Sequence, residues 1–177
     1  MDTTQNLINA LTPFWSTVDW GLVFAAIGFA LVVILPGIGS ALGVHLVGCT
    51  GAGVLSEDPS RFGKILLLQV LPGTQGIYGL LIGFIFLLKL GVMGGSLITP
   101  TTTEGLWLLF AALPMAFVGL WSALYQGRVA AAGAMLVAKR ASESGKAMIM
   151  AAMVETYAVL ALLMSFLAVW FMPIAGA

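Results

Sequence analysis

Apolar residues run through this chain in long blocks, and the charged positions fall between the blocks rather than alternating with them. Four stretches stay free of formal charge, or nearly so: Trp20 to Leu55, Ile65 to Leu88, Gly105 to Gly127, and Ala147 to Ala177, the last broken only by Glu155. Each is long enough to cross a hydrocarbon core of about 30 Å, which takes about 20 helical residues. The first exceeds one crossing, so its glycine-rich end is expected to extend into water. An apolar barrel wall would alternate with a polar lumen, and these runs do not alternate. Short polar connections make each consecutive pair of segments an antiparallel hairpin. The pattern therefore predicts an all-α membrane protein with four transmembrane helices.

Composition strengthens this reading. Of 177 residues, 60% are apolar and only 8% are charged, against about a quarter charged in soluble domains. Seven basic and seven acidic residues cannot clothe a water-soluble globule of this length. With no net charge and no basic run, nucleic acid is not an expected partner. The single cysteine, Cys49, allows no internal disulfide. His45 lies four residues from it, without an acidic or second histidine partner, and both are read as packing residues. Residues 1–19 lack a basic n-region, which argues against a cleaved signal peptide. Leu7, Ile8, Leu11, Phe14 and Trp15 form either a short interfacial helix or a frayed terminus.

Charge asymmetry gives an orientation. Arg61 and Lys64 follow the first segment, and Lys139, Arg140 and Lys146 lie between the third and fourth, while Lys89 alone marks the other side. The positive-inside rule places both of these connections in the cytoplasm and both termini outside, in a multi-pass protein of the cell membrane. Arg128 fits only if the third helix continues past the bilayer or the side chain snorkels.

The two halves repeat one another. Phe24-Ala25-Ala26 recurs as Phe110-Ala111-Ala112 at an offset of 86, where Ser40 also meets Gln126 and Ala41 meets Gly127. Beyond the loops Gly63-Lys64 matches Gly145-Lys146, and Tyr78 matches Tyr157 if the first half carries three extra residues. Glu155 then falls opposite Gly76. The expected organisation is an N-terminal extension (1–19), a first helical hairpin (20–95) and a second (96–177) carrying the glutamate. The two hairpins share one orientation, unlike inverted transporter repeats. Gly37, Gly39, Gly43, Gly48, Gly51 and Gly53 on the first helix, with Gly119, Gly127 and Gly133 on the third, permit close helix approach. They serve either packing within one bundle or the tight inner side of a ring of subunits.

Glu155 is the most informative residue, because an ionised carboxylate in a bilayer is costly and marks function by default. It lies nine residues past Lys146, roughly 14 Å along a helix and near mid-membrane. The structural alternative is a protonated, hydrogen-bonded glutamic acid that merely joins helices. Leu71-Pro72-Gly73-Thr74-Gln75 lies at similar depth. Pro72 has no backbone N–H, which can leave a nearby carbonyl free to face a ligand. Thr74 and Gln75 offer oxygens there, and Gln126 offers another. With Glu155 they form an all-oxygen set with one negative charge, suited to a hard monovalent cation; singly, each would serve an interhelical hydrogen bond. A proton would need only the carboxylate and one or two partners. Tyr78 shares the Gln75 face and either donates to Glu155 or packs as an aromatic. Tyr157, Trp107, Trp121 and Trp170 are read as interface anchors or packing groups.

The runs Leu71-Pro72-Gly73-Thr74-Gln75-Gly76-Ile77-Tyr78-Gly79, Gln126-Gly127-Arg128-Val129-Ala130-Ala131-Ala132-Gly133 and Ala151-Ala152-Met153-Val154-Glu155-Thr156-Tyr157-Ala158 closely resemble a known family. It is the rotor-ring proteolipid, known as the K or c subunit, of bacterial and archaeal V-type ATPases, especially the sodium-translocating kind. The resemblance extends from about Gly21 to Trp170; Arg128 stands where a lysine is expected, and the stretch before Trp20 is longer. It implies one Na+ per protomer, or alternatively H+, at Glu155, with Thr74, Gln75, Gln126 and the backbone carbonyl of Leu71 as ligands and Tyr78 hydrogen-bonded to the glutamate. It further implies a homo-oligomeric ring, a stator subunit supplying an arginine, central-stalk subunits, and ATP hydrolysis in other subunits, this chain having no phosphate loop. A rival of another class is a small secondary transporter exchanging protons for cationic drugs through one glutamate. A third is a purely structural pore or junction protein.

Overall fold

The structure is a computed structural model that describes residues 4, 6–8 and 17–174. Helix α1 spans Trp20–Glu57 and begins where the Asp19 side chain accepts the N–H of Leu22 at 3.2 Å, an N-cap. Helix α4, Thr102–Lys139, opens with a capping box in which Thr101 and Glu104 exchange backbone hydrogen bonds. Both have 38 residues, about 57 Å of helix and well beyond a bilayer core. The first segment is a single helix longer than one crossing, as expected. Of the two ways in which Arg128 was expected to fit, the structure shows what the first requires, a third helix that continues through Arg128 to Lys139.

The second crossing is not one α-helix. Phe62–Val70 (α2) and Thr74–Lys89 (α3) are joined by a 3-10 turn at Leu71–Gly73. Pro72 is the cause, since its ring and missing N–H interrupt the regular ladder. The fourth crossing, α5, is continuous over Ser144–Trp170 and stops short of the predicted Ala177; residues 175–177 lie outside the described part. Leu7 and Ile8 are helical and exposed, whereas Leu11, Phe14 and Trp15 lie outside the described residues.

Helices α1 and α4 form the tight centre of the bundle. A Cβ on Gly127 would lie 2.5 Å from Gly43 Cα, so the two backbones touch there. Gly79 does the same between α3 and α1, resting on the Val32 carbonyl, which Pro36 deprives of its usual donor. Part of the small-residue stripe thus packs within one chain, while Gly37 and Gly53 face open space.

Both connections lie at one end of the bundle. The Arg61 guanidinium donates to the carbonyls of Val137 (2.5 Å) and Ala138 at the end of α4, and Lys64 Nζ donates to Ala141 O at 2.9 Å. Cations at a helix C-terminus meet its exposed carbonyls and negative dipole end. At the other end Trp107 Nε1 donates to Ala168 O at 3.1 Å. The hairpins therefore run the same way. Two apolar clusters fill the interior, one around Val32, Ile82, Phe86, Leu108, Met115 and Val169, the other around Val47, Ile65, Leu68, Ala134, Val137 and Ala151. Leu80, Leu81, Phe110, Phe117 and Leu160 cover the outside, the surface of a protein solvated by hydrocarbon rather than water.

Candidate ion-binding site

The predicted site residues converge in a polar layer between the two apolar clusters. Gln75 and Gln126 are completely buried, Ser122 and Ser40 nearly so, and every buried side-chain polar atom among the described residues has a partner. The 3-10 turn supplies the first oxygens. Thr74 Oγ1 donates to Leu71 O at 3.0 Å and lies 3.4 Å from Gln75 Oε1. With its proton directed to the nearer carbonyl, the Thr74 oxygen faces the Gln75 oxygen lone pair to lone pair, an arrangement that a cation relieves.

Glu155 approaches from α5. Its Oε1 accepts the Tyr78 hydroxyl at 2.5 Å, and its Oε2 accepts Gln126 Nε2 at 3.3 Å. Gln75 Nε2 donates in turn to Gln126 Oε1 at 2.6 Å. Gln126, whose depth on α4 was open from sequence, is thus level with Glu155. Tyr78 and Gln126 both present hydrogens to the carboxylate. The glutamate is only half-buried, so the site opens to the outer surface of the helices. Of Tyr78's two possible roles the structure shows both: it donates to Glu155 and its ring packs against the first apolar cluster. Tyr157, its repeat partner, is exposed, as are Trp107, Trp121 and Trp170. Cys49 Sγ lies 3.7 Å from the His45 ring nitrogens, and among the described residues no three His, Cys, Asp or Glu side chains gather.

Comparison with known proteins settles the family. The profile of the ATP synthase C subunit matches the chain twice, at residues 27–86 and 109–168. The chain belongs to that family. Each match covers one hairpin, in keeping with the internal repeat. The chain is also 45% identical over 153 residues to the V-type sodium ATPase subunit K of Enterococcus hirae, covering 86% of this chain and 94% of that one. To the A-type ATP synthase subunit K of Methanocaldococcus jannaschii it is 39% identical over 147 residues, 82% of this chain and 61% of the relative. Four helices long and apolar enough to span a bilayer, in a family of membrane ATPase subunits, make this a multi-pass membrane protein.

One contributor escaped the sequence reading of the site: Ser122 accepts from Gln75 Nε2 at 3.3 Å and donates to Val154 O at 3.1 Å. Ser40, in the same polar layer, accepts only the backbone N–H of Gly76, at 2.8 Å. The available signal for Ser122 was its place four residues before Gln126, on the same helical face in an apolar run.

Proposed function

We propose that this chain carries one sodium ion at Glu155 as part of the membrane rotor ring of a V-type ATPase, which turns as ATP is hydrolysed in other subunits. The observation that carries the reading is the position of Glu155, within a membrane span and hydrogen-bonded by Tyr78 and Gln126 beside the oxygens of the Leu71–Gln75 turn. The ligands are the Leu71 carbonyl, Thr74 Oγ1, Gln75 Oε1, Gln126 Oε1 and the carboxylate. To bind, Thr74 turns its proton away from Leu71 O. The relative from Enterococcus hirae, named a sodium ATPase subunit, supports the choice of ion.

Electrostatics supply the mechanism. A bare carboxylate resists entering hydrocarbon, so the loaded, neutral site travels through lipid and the empty one does not. At the stator, an arginine of a different polypeptide competes for the carboxylate and releases the ion. Copies of the chain form the ring, central-stalk subunits link it to the ATPase head, and the connections bearing Arg61, Lys139 and Arg140 face the cytoplasm, with both termini outside. Residues 20–95 and 96–177 act as the two hairpin units.

The test is carboxyl modification of Glu155 by a carbodiimide in the solubilised assembly. Sodium added at fixed pH is expected to slow the reaction. If sodium protects at no pH, the sodium assignment falls and a proton-coupled ring stands in its place. Native mass measurement checks the ring: a monomer or dimer as the stable species overturns the rotor and favours a small transporter.

A further inference from the structure

Ser122 sits on α4 one turn before Gln126, and its hydroxyl lies between two partners of unequal kind. The Val154 carbonyl can only accept, so the single hydroxyl proton goes there, at 3.1 Å. The serine oxygen is left to accept, and Gln75 must turn its NH2 group toward it, at 3.3 Å. The other N–H of the same amide donates to Gln126 Oε1 at 2.6 Å, which directs the Gln126 NH2 group to Glu155. Gln75 Oε1 is thereby held on the far side, facing Thr74 Oγ1. The Ser122 proton at one end and the acceptor-only Glu155 carboxylate at the other order the two amides in the same sense.

We infer that Ser122 is a positioning residue that sets the sodium affinity of the site, by fixing which end of the Gln75 amide faces the ion. This rests on the sodium reading above. Without the serine oxygen one Gln75 N–H loses its buried acceptor, and only the bond to Gln126 holds the amide oxygen toward the ion. The anchor is also well chosen in sequence, because Val154 directly precedes Glu155. The same contact therefore ties the orientation of the amides to the turn of α5 that carries the carboxylate.

The experiment is the sodium protection curve for carbodiimide labelling of the solubilised assembly, measured for wild type, Ser122→Ala and Ser122→Thr. Ser122→Ala is expected to raise the half-protecting sodium concentration roughly tenfold, the size of one buried hydrogen bond. Labelling without sodium persists, since Glu155 remains. Ser122→Thr keeps the hydroxyl and returns the curve to wild type, its added methyl having room in the open apolar groove beside Phe117 and Trp121. A purely structural serine would lower thermal stability in detergent and leave the curve in place; that result overturns the inference. Should Ser122→Ala not assemble, Ser122→Cys, a much weaker hydrogen-bonding group, carries the same expectation. Absence of sodium protection in the wild type would overturn the sodium reading itself, a different outcome from a variant that matches a protected wild type.

Discussion

In the first hairpin the backbone N–H of Gly76 donates to the Ser40 hydroxyl at 2.8 Å, whereas in the second the matched positions, Glu155 and Gln126, meet as carboxylate and amide at 3.3 Å. The same pair of helix surfaces has been used once for a neutral contact and once for a charge. A Cβ on Gly76 would lie only 3.3 Å from Ser40 Cβ and Oγ, so the first hairpin has closed over the position where a carboxylate would stand. What it contributes instead is oxygen. The 3-10 turn at Leu71–Gly73 has no counterpart in continuous α5, and it is the place where the first half can hold its three extra residues. The site is therefore divided between the hairpins, with neutral ligands and Tyr78 from the first and the charge from the second. One carboxylate for four helices keeps the cost of charge in the bilayer low.

Moving that carboxylate is the most severe way to break the comparison. Glu155→Gln is expected to reduce both carbodiimide labelling and sodium uptake by the reconstituted complex to background. Adding Gly76→Glu to that variant should restore neither, because a Cβ at that position already meets Ser40 Cβ and Oγ at 3.3 Å. Recovery of either activity would mean that the hairpins are interchangeable.

The two matched tyrosines give a smaller effect. Tyr78 donates to Glu155 at 2.5 Å, while Tyr157 is 67% exposed. A hydrogen bond to a charged group contributes about 1.5–3 kcal/mol, so Tyr78→Phe should raise the half-protecting sodium concentration about ten- to hundredfold. Tyr157→Phe should leave the curve at wild type. Equal shifts would show that the tyrosines act through packing alone.

This asymmetry also marks what the sequence makes legible. The four crossings and their shared direction follow from runs of apolar residues and loop charges, and spacing sets Thr74, Gln75, Tyr78 and Glu155 at similar depth, whereas the Leu71 carbonyl as a ligand and the place of Gln126 beside Glu155 rest on the family resemblance. Helix ends were less accessible, since Arg128 interrupts the apolar pattern without interrupting the backbone. A charged residue ends a membrane segment in composition; it does not end a helix, and α4 continues for eleven residues more. Ser122 was hidden for a different reason. A lone serine among small residues is indistinguishable from packing until the partners of its hydroxyl are known, and those come from α3 and α5.

The neutral contact of the first hairpin can be tested by itself. Ser40→Ala leaves the Gly76 N–H without its 2.8 Å acceptor, a loss of about 1 kcal/mol. Thermal stability of the assembly in detergent should fall, with the sodium protection curve unmoved. A shifted curve would place Ser40 inside the ion site and remove the distinction between the hairpins.

The smallest effect belongs to the connections. Asp58 and Arg140 end α1 and α4 with nearly the same backbone, φ −143° and ψ 91° against φ −142° and ψ 87°, yet they carry opposite charges. The Asp58 carboxyl accepts the Ser60 hydroxyl at 2.6 Å and Arg61 Nε at 2.7 Å, and these bonds, the serine's first, hold it below the usual aspartate value. A folded value below the unfolded one, about 3.9, contributes stability that is complete above that unfolded value and is lost as pH falls through the folded one. Arg140 has no such titration, since a guanidinium stays charged throughout. Acidification below about pH 4 should therefore speed amide exchange, corrected for its intrinsic pH dependence, at residues 60–62 of the wild type relative to Asp58→Asn. The same substitution should not alter the response at residues 141–144. Because Asp58 is exposed to water, the difference will be slight. If it is absent at the first connection, or equal at both, the reversed charges have no bearing on how the two ends are held. The Arg61 contacts to Val137 and Ala138 and the Lys64 contact to Ala141 would then hold the two connections together without help from Asp58.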